Sequence, residues 1–278
     1  MKIYLKKLTM VFIFVSLISG CASKDTKDNK KLDELKITAD EVTITAGENS
    51  TPIPGARAVL SYPEEGAVLE NDDIFVVIDV ERFTLGDQTA TTSADEVANS
   101  INGQHVHLIV DNMPYQAVYQ SGKPVNIGKL NPGPHSLFVF PSRSYHESIK
   151  EQGASDLLNF YVETDAGDFD IEENQPAIFY SRPKGEYKSL AAKKILLDFY
   201  LHNLTLSPGG FNVRYTVTSD INEQQKYEIV LDEWKPAYIN NLPSGNYKVK
   251  IELIDSMGNF VNNAAYNGTE REITVVAE

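Results

Sequence analysis

The chain of 278 residues has one cysteine, Cys21, one tryptophan and five histidines, and each scarcity excludes something. With a single thiol no intramolecular disulfide forms, so any folded domain must rely on a packed core. Basic residues are outnumbered, 25 Lys and Arg against 39 Asp and Glu, and the net charge of −14 makes nucleic acid a poor partner. No Gly-x-Ser-x-Gly, His-Glu-x-x-His or phosphate-loop motif occurs, so the common hydrolase, metalloprotease and nucleotide signatures are missing. Long hydrophobic runs are missing too. The most apolar stretch, residues 11–18, is too short to cross a bilayer comfortably.

That stretch follows Lys2, Lys6 and Lys7, the pattern of a secretory leader over residues 1–21. It ends in Ile18-Ser19-Gly20-Cys21, which resembles the bacterial lipobox. The resemblance implies cleavage before Cys21, acylation of that residue, and a chain attached to the membrane by its lipids. The bland alternative is an ordinary leader followed by a free thiol. Losing the three leader lysines shifts the net charge from −14 to −17. Residues 22–55, polar at first and then rich in Thr, Gly and Pro, read as a disordered tether holding the body off the membrane. Ala22 carries no retention signal of the Asp type, which favours the outer membrane, facing either the periplasm or the cell surface.

Beyond the tether the chain repeats itself. Residues 123–139 match residues 235–251 without a gap, with five identical positions and most apolar positions answering apolar ones. Around this phrase lie short runs of β-branched and aromatic residues separated by Pro- and Gly-containing turns. The expected fold is all-β: two tandem immunoglobulin/fibronectin III-like antiparallel sandwiches, residues 56–166 and 175–278, joined by an acidic linker at 167–174. Residues 86–101 of the first copy have no counterpart in the second and are expected to be a disordered polar insertion or part of a binding surface, with one helical turn at 95–100.

Comparison of the copies separates scaffold from candidate function. In residues 104–110 alternation sets Val106, Leu108 and Val110 against His105, His107 and Ile109, and the second copy aligns Asn212, Arg214 and Thr216 with the latter set. The histidines therefore fall on the outer sheet face. On the strand expected beside them Phe138 and Phe140 replace Lys250 and Glu252. An apolar outer face bearing imidazoles is a contact surface, or else it is covered by the insertion or the second domain. Arg143, Tyr145, His146 and Glu147, in the polar loop that follows, complete the candidate binding surface. Replacing His105 and His107 by the Asn and Arg of the second copy is expected to leave the fold intact. His135 aligns with Tyr247, which suits a structural hydrogen bond at a strand corner; His202 reads as a surface residue and Trp234 as a packing residue.

Three functions follow from this inventory. The first is binding or scaffolding of a protein or glycan partner in the envelope, without catalysis. The second is a zinc or copper site on His105 and His107 with a third ligand such as His146, Glu147 or Asp111, since His-x-His on a strand suits either metal. The third, a carbohydrate-binding accessory protein or an enzyme, has the least support in the residues. Several phrases resemble an uncharacterised group of bacterial secreted proteins and lipoproteins: Asn102-Gly103-Gln104-His105-Val106-His107-Leu108-Ile109-Val110-Asp111-Asn112, Pro141-Ser142-Arg143 with Tyr145-His146-Glu147-Ser148, Tyr180-Ser181-Arg182-Pro183-Lys184-Gly185, and Leu197-Asp198-Phe199-Tyr200-Leu201. The resemblance implies that the histidine strand and the 143–148 loop belong to one recurring design. It also implies that Ser181-Arg182-Pro183 fixes the angle between domains, unless Arg182 is an ion-pair partner of the acidic linker. It brings no activity with it.

Overall fold

Period-two alternation of apolar residues produces strands wherever the chain is rich in Val, Ile, Tyr and Phe. The computed structural model describes residues 41–262 and 266–277. The leader, Cys21 and residues 22–40 lie outside the described residues. No helix among the described residues is long and apolar enough to cross a membrane.

The strands are β1 (Thr43–Ala46), β2 (Arg57–Tyr62), β3 (Val68–Leu69), β4 (Asp73–Glu81), β5 (His105–Val110), β6 (Gln116–Val118), β7 (Pro124–Lys129), β8 (Gly133–Ser142) and β9 (Asp156–Val162). They continue as β10 (Ala177–Arg182), β11 (Gly185–Lys188), β12 (Lys194–His202), β13 (Asn212–Ser219), β14 (Lys226–Leu231), β15 (Ala237–Asn240), β16 (Gly245–Ile254) and β17 (Gly268–Val276). In the first half β2-β4-β7 faces β3-β9-β8-β5-β6, and in the second β10-β12-β15 faces β11-β17-β16-β13-β14. Strand for strand, the second sandwich repeats the first. Even the details agree: β2 and β10 each shift register near their ends, at Leu60/Tyr62 and Tyr180/Arg182, and β3 and β11 each run parallel to the last strand of their copy.

The protein is thus a pair of β-sandwiches of immunoglobulin-like topology, each with its own apolar core. Leu60, Ile74, Val76, Ile78, Val106, Leu108 and Phe160 fill the first, and Ile195, Leu197, Phe199, Tyr215, Val249 and Ile251 the second. Tyr247 donates its hydroxyl to the Pro243 carbonyl at 2.9 Å, and His135 Nε2 bonds the Asn131 carbonyl at 2.7 Å in the matching position. The histidine does the structural work of the tyrosine, as its alignment implied.

A third apolar layer joins the copies. The outer face of the β5-β8 sheet presents Ile109, Phe138 and Phe140 to Ala177, Phe179 and Tyr200 on the outer face of β10 and β12, and all six are buried. Phe138 stacks on Phe179 with ring centres 3.6 Å apart, and Phe140 lies 4.8 Å from Tyr200. Four sheets are therefore stacked over three apolar layers, and the described residues form one compact unit. Within the acidic linker, Ile171 is fully buried in the same layer.

Two expectations about flanking segments are corrected. The end of the supposed tether is built into the body, because β1 adds to the free edge of β15 and satisfies its backbone groups. Asn49 then bonds the Trp234 carbonyl of the second sandwich, and Ser50 bonds Glu147 and Tyr145 of the first. Residues 43–50 form a strap across the joint. The insertion at 86–101 is likewise pinned rather than disordered. Thr89 and Ser144 exchange two hydrogen bonds of 3.1 Å, Val97 is buried, and Glu96 pairs with Lys194 of the second sandwich at 2.5 Å. Its one short helical turn is a 3-10 turn at Thr92–Asp95, earlier than 95–100.

Candidate functional site

Strand β5 pairs with β8 so that His107 lies opposite Phe140 and Ile109 opposite Phe138. The sequence places these side chains on the outer sheet face, and there they are. That face is not exposed, however: His105, His107, Phe138 and Phe140 are at most 1% accessible, because the second sandwich packs over them. A contact surface open to an outside partner is therefore corrected to an internal joint. The physical reason is the apolar face itself, which is stable only when something covers it. Exchanging His105 and His107 for Asn and Arg accordingly loses its expected neutrality, since an arginine at 107 would be buried in the joint without a partner.

The loop after β8 belongs to the same joint. Arg143 donates to the Thr51 carbonyl, while Tyr145 and Glu147 both bond Ser50, at 2.5 and 2.8 Å. Ser148 donates backbone N–H and hydroxyl to the buried Asp198 carboxylate on β12, each at 3.1 Å, and Lys150 completes an ion pair with it at 2.5 Å. Arg182 does not serve as an ion-pair partner of the acidic linker. It hydrogen-bonds Tyr187 at 3.3 Å and lies 5.4 Å from the centre of the Tyr115 ring.

At the centre of the joint three imidazoles converge. His105 Nε2 is 3.0 Å from His107 Nε2 and 3.1 Å from His146 Nδ1. His105 Nδ1 faces the Gly103 carbonyl at 2.9 Å, so that nitrogen carries the proton and Nε2 presents a lone pair. His107 Nδ1 lies 3.1 Å from Ser181 Oγ on β10, and its ring stacks on Tyr115 at 3.5 Å. The Tyr115 hydroxyl is 3.2 Å from His146 Nδ1. His146 is brought in by a tight turn closed from its own N–H to the Arg143 carbonyl, with a positive φ of 70°. Gly103 is held at φ +79°, where a Cβ would sit 2.2 Å from the Gly86 carbonyl oxygen, so the insertion and the histidine strand fit only around glycine.

Burial sets the charge state of the cluster. It pushes His105 down to about 4, with Arg182 adding to the shift, and holds His107 and His146 well below the ordinary histidine value as well. All three are neutral near pH 7 and offer lone pairs. Burial also holds the Tyr115 phenol above its ordinary value, while Arg182 works in the opposite direction. His107 and Ser181 resemble a base beside a nucleophile, but Ser181 is 1% accessible and lines none of the five best-formed clefts among the described residues.

Open space lies elsewhere. A cleft of about 970 Å³ opens at the mouth of the joint, between the 151–155 turn and the 201–205 turn, with Tyr200, Phe211 and Trp234 among its walls and Glu173, His202 and Asn203 at its polar side. Trp234 packs edge-on against Tyr200 and donates its indole N–H to the Phe199 carbonyl, so it is a packing residue with one half-buried flank. His202 is half-buried rather than free on the surface, bonded to the Glu173 carbonyl at 2.8 Å.

Sequence reasoning missed Tyr115, Lys150, Ser181 and Asp198. A signal for the last existed. In β12 the outward-facing Leu196, Asp198 and Tyr200 are as buried as the inward set, whereas the corresponding strand β4 turns Phe75, Asp79 and Glu81 to solvent. A strand apolar on both faces is covered on both faces.

No protein-family model matches the chain, and no curated protein matches it. Among solved structures, the chain is similar to the fibronectin(III)-like modules of Clostridium thermocellum CbhA at 13% identity and a TM-score of 0.27, over 79% of this chain and 94% of that one. It is similar to the FN1-FN3 domains of chicken CNTN1 at 11% and 0.22, over 81% and 67% of the two chains. It is also similar to SGBP-B of a Bacteroides ovatus mixed-linkage glucan utilization locus at 12% and 0.21, covering 79% of this chain and 47% of that protein. At such scores the sandwich assignment rests on the strand pairing itself.

Proposed function

We propose that the protein is a non-catalytic binding protein of the bacterial envelope, anchored by lipid at Cys21, and that it recognises a glycan or protein through the cleft at the mouth of its joint.

 The outer membrane is the location that the residues after Cys21 favour. The observation that carries the binding reading is the cleft itself: about 970 Å³, walled by aromatic rings and edged by amide and carboxylate groups, on a body whose two sandwiches are fused over an apolar layer. Preformed clefts between domains are the usual seats of ligands. Phe211, 36% accessible, offers an aromatic face to the apolar side of a sugar ring, and Glu173 and Asn203 stand near enough to meet hydroxyl groups. The net charge of −14 argues against nucleic acid and anionic headgroups as ligands of the body.

The test has two arms. Labelling cells with a palmitate analogue should mark the wild-type chain and not Cys21→Ala, and an unlabelled wild type would refute the anchor. Calorimetric titration with a panel of neutral oligosaccharides should give binding that Phe211→Ala weakens about tenfold, in line with the loss of one stacking contact. Affinity that is unchanged by Phe211→Ala and Asn203→Ala would remove the cleft as the site.

A further inference from the structure

The convergence of His105, His107 and His146 is hard to explain as hydrogen bonding alone. The Gly103 carbonyl fixes the His105 proton on Nδ1, which leaves one lone pair at Nε2, yet the ring nitrogens of His107 and His146 both approach that atom, at 3.0 and 3.1 Å. One lone pair serves two donors poorly. A cation held jointly by the three nitrogens removes the conflict. Around a tetrahedral ion with ligand bonds of 2.0–2.1 Å, neighbouring ligand atoms stand about 3.3–3.4 Å apart. The observed separations of 3.0 and 3.1 Å need a few tenths of an ångström of expansion, and the third, between His107 and His146 within 4.8 Å, shortens as the ion draws those two rings together.

We propose that these three histidines form a closed site for a divalent transition metal, zinc or copper, with the Tyr115 hydroxyl as the fourth ligand. The three ligand nitrogens lie within 4.8 Å of one another. The Tyr115 oxygen stands 3.2 Å from His146 Nδ1, again close to a tetrahedral edge. Coordination releases the phenolic proton to solvent, so the ion gains one anionic ligand. Arg182 and Lys184, 5.4 and 4.3 Å from the Tyr115 ring centre, favour that phenolate and would otherwise repel the metal.

The outer contacts are those a metal centre needs. His105 is oriented by the Gly103 carbonyl and His107 by Ser181 Oγ, each through the nitrogen that does not ligate. All the proposed ligands come from the first sandwich, whereas Ser181 sits on β10 of the second, and Lys184 of the second donates to the Tyr115 carbonyl at 2.5 Å. The site is therefore structural: its ligands are buried, and it fixes the face of the first sandwich against which Ser181 on β10 packs.

The test uses untagged, full-length protein stripped of metal with a chelator, titrated with zinc and with copper(II). One equivalent should bind with a dissociation constant below about 1 μM, raise the melting temperature, and release protons. His146→Asn keeps the turn, because asparagine tolerates positive φ, and should bind at least 100-fold more weakly. Its metal-free melting temperature should stay near that of the metal-free wild type, while added metal raises only the wild type. His107→Gln should lose affinity similarly, and Tyr115→Phe about tenfold. Affinity weaker than about 10 μM for both ions in the wild type would overturn the proposal. Undiminished binding by His146→Asn and His107→Gln would overturn it equally.

Discussion

The joint between the sandwiches can be opened by returning two side chains to the residues that the second copy carries. Phe138 and Phe140 become Lys and Glu, as at Lys250 and Glu252. Truncating a buried phenylalanine costs about 3–5 kcal/mol. The two rings touch, with centres 5.9 Å apart, so their costs combine to less than the sum, about 6 kcal/mol. Keeping a lysine and a glutamate buried without designed partners would add several kcal/mol more, a penalty that opening the joint avoids. Neither phenylalanine belongs to the core of either sandwich, so both sandwiches stay folded. Scanning calorimetry should therefore show one transition splitting into two, and small-angle scattering should show a larger radius of gyration. Phe138→Leu with Phe140→Leu, which keeps the face apolar, should lower the melting temperature without splitting the transition. A charged variant that keeps one transition, an unchanged melting temperature and an unchanged radius would refute the four-layer stack.

Other expectations follow from single contacts. Asp198→Asn leaves Lys150 buried and unpaired, and chemical denaturation should report a loss of about 3–5 kcal/mol, most of it recovered in the double variant Asp198→Asn with Lys150→Met. His135 is raised above its ordinary value of 6.5, chiefly by its hydrogen bond to Asp111. A raised histidine contributes stability that is fully present below pH 6.5 and lost as pH climbs through the folded value, so denaturation midpoints should fall over that alkaline window and His135→Gln should flatten the decline. Gly103→Ala forces a Cβ against the Gly86 carbonyl and should cost at least about 1 kcal/mol, with the 86–101 segment becoming sensitive to protease. Ser50→Ala removes the hydroxyl's bonds to Tyr145 and Glu147 and keeps only the backbone N–H bond to Glu147, so hydrogen exchange at residues 43–50 should accelerate.

The two sandwiches were legible because strand patterning is local. Alternation in β4, β5 and β13, turn residues between strands, and the 112-residue echo from Lys123 to Lys235 together define both copies and the pairing of β5 with β8. The same comparison singled out His105, His107, Phe138 and Phe140 as departures from the scaffold. It could not say what faces them, because period-two alternation distinguishes one face of a strand from the other but does not reveal which outer faces meet. Residues 43–50 and 86–101 were misread for a related reason: their polar composition looks unable to fold alone, and they are ordered by edges and loops supplied from 50 to 200 positions away.

By itself, then, the sequence determined an all-β chain of two like sandwiches, an acidic charge, and the histidines and phenylalanines that set the first copy apart. Tertiary structure alone decided that this face is covered by β10 and β12, that His146 turns back to meet His105 and His107, and that Tyr115 and Ser181 surround them. The division has one physical cause. Strands follow from nearest neighbours along the chain, whereas the joint depends on the burial of two outer faces against each other, a long-range gain that no local pattern encodes.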